Sequence, residues 1–166
     1  MSTFSEADFR RAMGQFCTGV VVVSGVSDGE PVGFTAQSFV SLSLDPPLVG
    51  ICPARSSLSW PRVRESGHFG INILGADQKG LCGTFARSGV DKFGGLVWAP
   101  SALGSPILEG VLSFIDCKLE AEHDAGDHTF VVGRVFGLQA FPSERPPLLF
   151  YRGLYGSFGI LPPQEA

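Results

Sequence analysis

From Val111 to Glu122 the sequence alternates with a period of two, which constrains the fold more than any other stretch. Val111, Ile115, Cys117, Leu119 and Ala121 point one way, and Asp116, Lys118, Glu120 and Glu122 point the other. Such a strand needs a neighbour. His123-Asp-Ala-Gly-Asp127 is turn chemistry, and Thr129 to Gln139 supplies the returning strand. The second half of the chain is therefore organised by an antiparallel hairpin.

The first half repeats the theme. Gly19-Val-Val-Val-Val-Ser24 is a β-branched run suited to a buried strand, and Ser27 to Pro31 turns it back into Val32 to Ala36. Asp45-Pro-Pro47 stiffens the approach to a strand at Leu48 to Cys52. Further strands are expected at His68 to Leu74, Leu148 to Arg152 and Leu154 to Phe158. Ser5 can cap a first helix, with Asp8 at the third helical position and Phe4 and Phe9 as a hydrophobic staple; it should end between Gln15 and Gly19. Short helices are expected from Ser59 to Ser66, where Pro61 suits a first turn, and from Asp77 to Arg87. Six or seven strands joined mostly by hairpins indicate a mainly β chain and an antiparallel barrel, not a parallel sheet. One domain over residues 1–160 is expected, with 161–166 as a loose tail.

Composition removes several classes of function. The net charge of −4 leaves no basic footprint for nucleic acid. Apolar runs such as Val20 to Val23 are far too short to cross a membrane, and the opening Met1-Ser-Thr-Phe-Ser-Glu6 has no basic or apolar leader. Cys17, Cys52, Cys82 and Cys117 form no Cys-x-x-Cys pair, so four free thiols in a reducing cytoplasm are expected. Charged residues make up only 17% of the chain, which suggests that a second subunit or a ligand covers part of the surface. Glycine-rich nucleotide loops, zinc-protease helices and nucleophile elbows are absent. His123-Asp-Ala-Gly-Asp-His128 is the clearest local metal candidate, but one hairpin would supply every ligand, so no metal is expected.

Gly33-Phe-Thr-Ala-Gln-Ser-Phe-Val-Ser-Leu-Ser-Leu-Asp-Pro-Pro-Leu-Val49 resembles the signature of the flavin reductase-like family, built on the FMN-binding split barrel. Phe16-Cys-Thr-Gly-Val20, Ser66 to Leu74, Phe85-Ala86, Asp91-Lys-Phe93, Gly126-Asp-His128 and Leu148 to Gly153 follow that family in order. The resemblance spans roughly residues 8 to 156, closest to reductase components of two-component flavin-dependent monooxygenases. It implies a split β-barrel homodimer that transfers hydride from NADH or NADPH to FMN or FAD and hands reduced flavin to a monooxygenase. Rival readings are a flavin-binding electron carrier without turnover and a split-barrel flavin oxidase. The oxidase is disfavoured because no cationic cluster for a phosphorylated substrate is visible.

The resemblance also implies a site. Thr35, Ala36, Gln37, Ser38, Ser41 and Cys52 would border the flavin ring, which needs a flat apolar slot with donors along one edge. Many family members have Asn where this chain has Gln37, so backbone contact is the expectation there. Read alone, the same residues are a polar strand-to-loop transition. Arg55, Ser56, Ser57 and Ser59 would cradle the flavin phosphate at a helix start, or serve as plain caps. Trp60 would cover the ring or the adenine, or pack between subunits. Phe85, Ala86, Lys92 and Phe93 would close over the flavin, unless Lys92 is merely solvated. His128 is the catalytic candidate, positioning the nicotinamide, against the plain alternative of a solvated hairpin histidine. Tyr151, Arg152 and Gly153 would touch the nicotinamide nucleotide, with Tyr151 alternatively an interface aromatic.

Overall fold

The computed structural model of the chain describes residues 3–160; the tail expected at 161–166 lies outside them. In chain order the elements are α1 (Glu6–Met13), β1 (Thr18–Gly19), β2 (Val21–Ser27), β3 (Glu30–Ala36), β4 (Val40–Leu44), β5 (Pro47–Ile51), α2 (Trp60–Glu65), β6 (His68–Ile73), a 3-10 turn (Ala76–Gln78), α3 (Lys79–Phe85), β7 (Trp98–Pro100), β8 (Pro106–Leu108), β9 (Ser113–Ala125), β10 (His128–Ala140), β11 (Leu148–Tyr151) and β12 (Leu154–Ser157). No helix among the described residues is long and apolar enough to cross a membrane.

Seven strands form one antiparallel sheet in the order β3-β2-β6-β9-β10-β5-β4. Its edges, β3 and β4, are joined in sequence by only Gln37, Ser38 and Phe39. Laid flat at ~4.8 Å spacing, seven strands would hold those edges about 29 Å apart. A connector of this length reaches about 14 Å at most. The sheet must therefore roll up, and because no ladder joins β3 to β4 the barrel stays split there.

The valine run explains its own composition. Val21 and Val23 enter one core with Ile51, Trp60, Val63, Phe69, Ile71 and Val131. Val20 and Val22 enter a second with Leu74, Phe85, Phe93, Leu108 and Leu148. Both faces of β2 are buried, each side chain worth about 1.5–3 kcal/mol, so no polar alternation survives.

The long hairpin forms as expected, with β10 running His128–Ala140 against β9. Asp116 departs from the expected pattern: the alternation puts it on the solvent face, yet it is 3% exposed. The β7–β8 ribbon covers this end of the sheet, and Asp116 Oδ2 accepts the Leu103 N–H at 3.0 Å. The ribbon is pinned by buried Asn72, which donates to Ser24 Oγ at 2.9 Å and accepts the Leu108 N–H at 2.9 Å. Burial, reinforced by the Asp116 charge, pushes the Cys117 thiol up to about 12. A polar residue in an alternating strand does not mark solvent when a second layer lies over it.

Two further expectations change. No strand is expected from sequence at Val40 to Leu44, yet the stretch pairs with β5 through Val40↔Gly50 and Ser41↔Val49. Helix α1 stops at Met13, because Gly14 caps it. Its capping box is present, with the Asp8 N–H donating to Ser5 Oγ at 3.2 Å and the Ser5 N–H to Asp8 Oδ2 at 3.1 Å. Phe9, Met13 and Phe16 nevertheless remain more than half exposed.

Candidate active site

The split opens into a cleft of about 500 Å³. Its first wall is the end of β3 and the connector, Phe34 to Ser38; its second is the loop Cys52 to Ser59. The end of α3 (Phe85, Ala86), then Arg87, Ser88 and Lys92, close a third side, and His128 and Tyr155 complete it.

Hydrogen bonds hold these walls together. The Cys52 N–H donates to Ser38 Oγ at 2.8 Å, tying the connector to the loop across the split. Thr35 Oγ1 donates to the Cys82 carbonyl at 2.7 Å, tying β3 to α3. The Thr35 and Ser38 hydroxyls are thus both engaged inside the protein. Lys92 Nζ donates to Gly33 O at 2.9 Å and to Ser59 Oγ at 3.2 Å, and burial holds its pKa below the ordinary lysine value. Burial likewise raises the Cys52 thiol. Among the described residues, no acceptor takes the amide N–H of Ser56, Leu58 or Ser59.

The loop is also stitched to β10. The Arg55 N–H donates to Asp127 O at 2.9 Å and the Thr129 N–H to Pro53 O at 3.0 Å. Between these bonds stands His128, whose Nδ1–H donates to Asp127 Oδ1 at 2.8 Å. That bond and the imidazole charge hold the Asp127 carboxyl below its usual range. With Nδ1 engaged, Nε2 is the nitrogen left for a ligand. Across the cleft, the Tyr155 hydroxyl and the buried Cys82 thiol lie 3.2 Å apart. That hydrogen bond, with burial and the Cys82 charge, pushes Tyr155 up to about 12.

Of the residues expected from sequence, Thr35, Ala36, Gln37, Ser38, Cys52, Ser56, Ser57, Ser59, Phe85, Ala86, Lys92 and His128 meet at this cleft. Others lie elsewhere. Ser41 is exposed on β4, paired with Val49. Arg55 turns to the hairpin and pairs with Asp124 at 2.6 Å. Trp60 is neither a lid nor an interface residue: it is 5% exposed in the core, and its Nε1–H donates to Glu122 at 3.0 Å. Phe93 is buried edge-on to Phe85, at 5.0 Å. Tyr151 and Arg152 stand beside α1, where the Tyr151 hydroxyl donates to Gln15 Oε1 at 3.3 Å and the Arg152 N–H to Gly14 O at 3.1 Å. Gly153 shares their hairpin, between β11 and β12.

The structure adds Phe34, Pro53, Ala54, Leu58, Arg87, Ser88 and Tyr155 to the cleft. Arg87 directly follows the Phe85-Ala86 pair, and its guanidinium has no acceptor among the described residues. A lone cation just past a helix end was the available signal. Tyr155 gave none, because only the fold of β12 brings it back to α3.

In the hairpin considered for a metal, Asp124 is committed to Arg55 and Asp127 to His128, while His123 stacks on Phe130.

The flavin reductase like domain matches the chain over residues 13–159. The reductase subunit HsaB of a flavin-dependent monooxygenase from Rhodococcus jostii is 52% identical over 147 residues, covering 89% of this chain and 75% of that protein. The crystal structure of nitrilotriacetate monooxygenase component B from Mycobacterium thermoresistibile superposes with a TM-score of 0.91 at 47% identity, over 97% of this chain and 92% of that one. The Streptomyces globisporus NADH:FAD oxidoreductase SgcE6, solved with NAD and FAD fragments, gives a TM-score of 0.87 at 34% identity, over 93% of each chain.

Proposed function

The chain belongs to the flavin reductase-like family, and on that premise we propose that it carries hydride from NADH or NADPH to FMN or FAD and passes the reduced flavin to a partner monooxygenase. The observation that carries this reading is the cleft at the split, which joins a strand edge, a loop of free amides, cations and an oriented histidine. Its volume of about 500 Å³ suits a cofactor-sized ligand. The donor set fits as well. The Thr35 to Ser38 backbone offers an edge for the ring, while Ser56, Leu58 and Ser59 amides with Lys92 and Arg87 offer an anion site.

A bound flavin supplies the hydride acceptor; the chain supplies position and charge. Because their hydroxyls are engaged by Cys82 and Cys52, Thr35 and Ser38 shape the ring edge through their main chain. Lys92, already drawn in from solvent, gains most from an anion, since pairing offsets the burial that lowers its pKa. His128, oriented by Asp127, presents Nε2 to the nicotinamide side and holds the donor for transfer.

The active unit is a homodimer. Phe9, Met13, Phe16 and Phe150 line an apolar groove of about 480 Å³ that shares Gln37 and Ser38 with the cleft, so a second copy seated there would border the site. Four free cysteines support a cytoplasmic setting. The test is NADH oxidation followed at increasing FMN or FAD. A rate that rises with flavin is expected, and no flavin-dependent oxidation would overturn the reading.

A further inference from the structure

Tyr155 borders the cleft, yet none of the ring-edge, anion or nicotinamide roles above uses it. It comes from β12, far along the chain from the other walls, and is held from three sides. Phe150 packs edge-on at 5.1 Å, Lys79 Nζ stands 5.5 Å from the ring centroid, and the hydroxyl meets Cys82 Sγ at 3.2 Å. Among the described residues the hydroxyl has no other partner.

Cys82 is the node behind it. The residue is fully buried on α3 and does not line the cleft. Its carbonyl accepts Thr35 Oγ1 at 2.7 Å and the Ala86 N–H at 3.1 Å. The main chain of Cys82 therefore serves the ring edge, and its side chain serves Tyr155.

The direction of the thiol–phenol bond follows from the two atoms. Sulfur accepts a hydrogen bond weakly, and a phenol oxygen accepts one well. A thiol at 0% exposure has no water to donate to, whereas the partly exposed phenol faces the cleft. The thiol hydrogen thus goes to the Tyr155 oxygen, and the phenol has its own hydrogen left for a ligand. Pushed up to about 12, Tyr155 keeps that hydrogen at neutral pH.

We propose that Tyr155 binds ligand directly, donating from its hydroxyl to an amide-type carbonyl of the bound ring system, and that Cys82 is its positioning residue. Such carbonyls occur on the flavin pyrimidine and on the nicotinamide carboxamide. The inference rests on the reductase reading for its ligands, though not for its geometry.

The test compares Tyr155→Phe, Cys82→Ala and Cys82→Ser. Kd for FMN is titrated on ligand-free protein by flavin fluorescence, and KM and kcat for NADH are measured at saturating FMN. Tyr155→Phe removes one neutral hydrogen bond and should raise one of the two constants about fivefold, with kcat within about twofold. A rise in Kd for FMN places the bond on the flavin, and a rise in KM for NADH alone places it on the nicotinamide. Cys82→Ala should raise the same constant about threefold, because the phenol loses the donor that orients it. Cys82→Ser keeps a donor and should restore the wild-type value. Since the two residues act as one unit, Cys82→Ala combined with Tyr155→Phe should bind no worse than Tyr155→Phe alone. The infrared S–H stretch, wild type against Tyr155→Phe, reads the thiol–phenol bond without altering Cys82, and one thiol band should shift up.

No change of either constant in Tyr155→Phe overturns the proposal. So do an unmoved thiol band, a Cys82→Ser variant that binds as poorly as Cys82→Ala, or losses that multiply in the double variant, because each leaves Cys82 as packing only. A chain that binds FMN through this pair but oxidises no NADH would remove the reductase reading alone. An active reductase indifferent to these substitutions would remove this one.

Discussion

Ser38→Ala separates two roles that the sequence leaves merged. The hydroxyl accepts the Cys52 N–H at 2.8 Å, so its removal leaves that half-buried amide without its protein acceptor. An unsatisfied buried donor costs about 1–3 kcal/mol, and partial access to water puts this one near 1–2 kcal/mol. For a chain of 166 residues that is a fall in Tm of about 2–8 °C. The assay is thermal unfolding of ligand-free protein at one fixed concentration, because association would add its own stabilisation. Flavin affinity should fall as well, because the connector and the Cys52 to Ser59 loop are no longer tied across the split. Ser41→Ala, on the exposed face of β4, serves as control and should hold Tm within about 1 °C. If Ser38 instead donated to the ligand itself, the variant would lose flavin affinity while its ligand-free Tm stayed level. That outcome would refute the reasoning.

Three further outcomes are expected. His128→Ala should lower kcat/KM for NADH by about tenfold or more at unchanged Tm, since positioning is lost at a partly exposed residue; steady-state kinetics with saturating flavin reads it. Met13→Glu should convert a dimer to a monomer in sedimentation, because it places charge on the apolar stripe of α1; a variant that sediments like the wild type would remove that face from the interface. The Cys117 thiol, raised to about 12, stabilises the fold fully below its unfolded value near 9 and progressively loses that contribution as pH rises towards 12. Cys117→Ala should therefore start less stable at neutral pH and lose less Tm than wild type between about pH 9 and 11.

Much of the barrel was legible because its strands advertise their environment. The Val20 to Val23 run marks a strand buried on both faces, and the alternation after Val111 marks the long hairpin. What misled was the inference from a polar side chain to solvent. Asp116 sits in an alternating position, but the β7–β8 ribbon lies above it and Leu103 supplies a donor, a long-range fact no local period encodes. Trp60 misled in the opposite sense. It stands beside the serine loop in sequence, yet α2 turns it inward to Phe34, Phe69 and Glu122.

The cleft residues divide along the same physical line. Thr35 to Ser38, for which main-chain contacts are proposed, could be brought to the cleft from their position between two strands. Residues that act through a long side chain could not, because reach depends on tertiary partners: Arg55 is drawn away by Asp124, while Arg87 is left free. The connector Gln37-Ser38 ties these observations together. It borders the cleft on one side and the apolar groove of α1 on the other, in a chain whose edges can meet only through those few residues. A second copy seated on α1 would therefore press on the same main chain that lines the cleft. Loss of the interface by Met13→Glu should accordingly weaken flavin binding even though Met13 does not line the cleft, and a monomeric variant with wild-type flavin affinity would break that link.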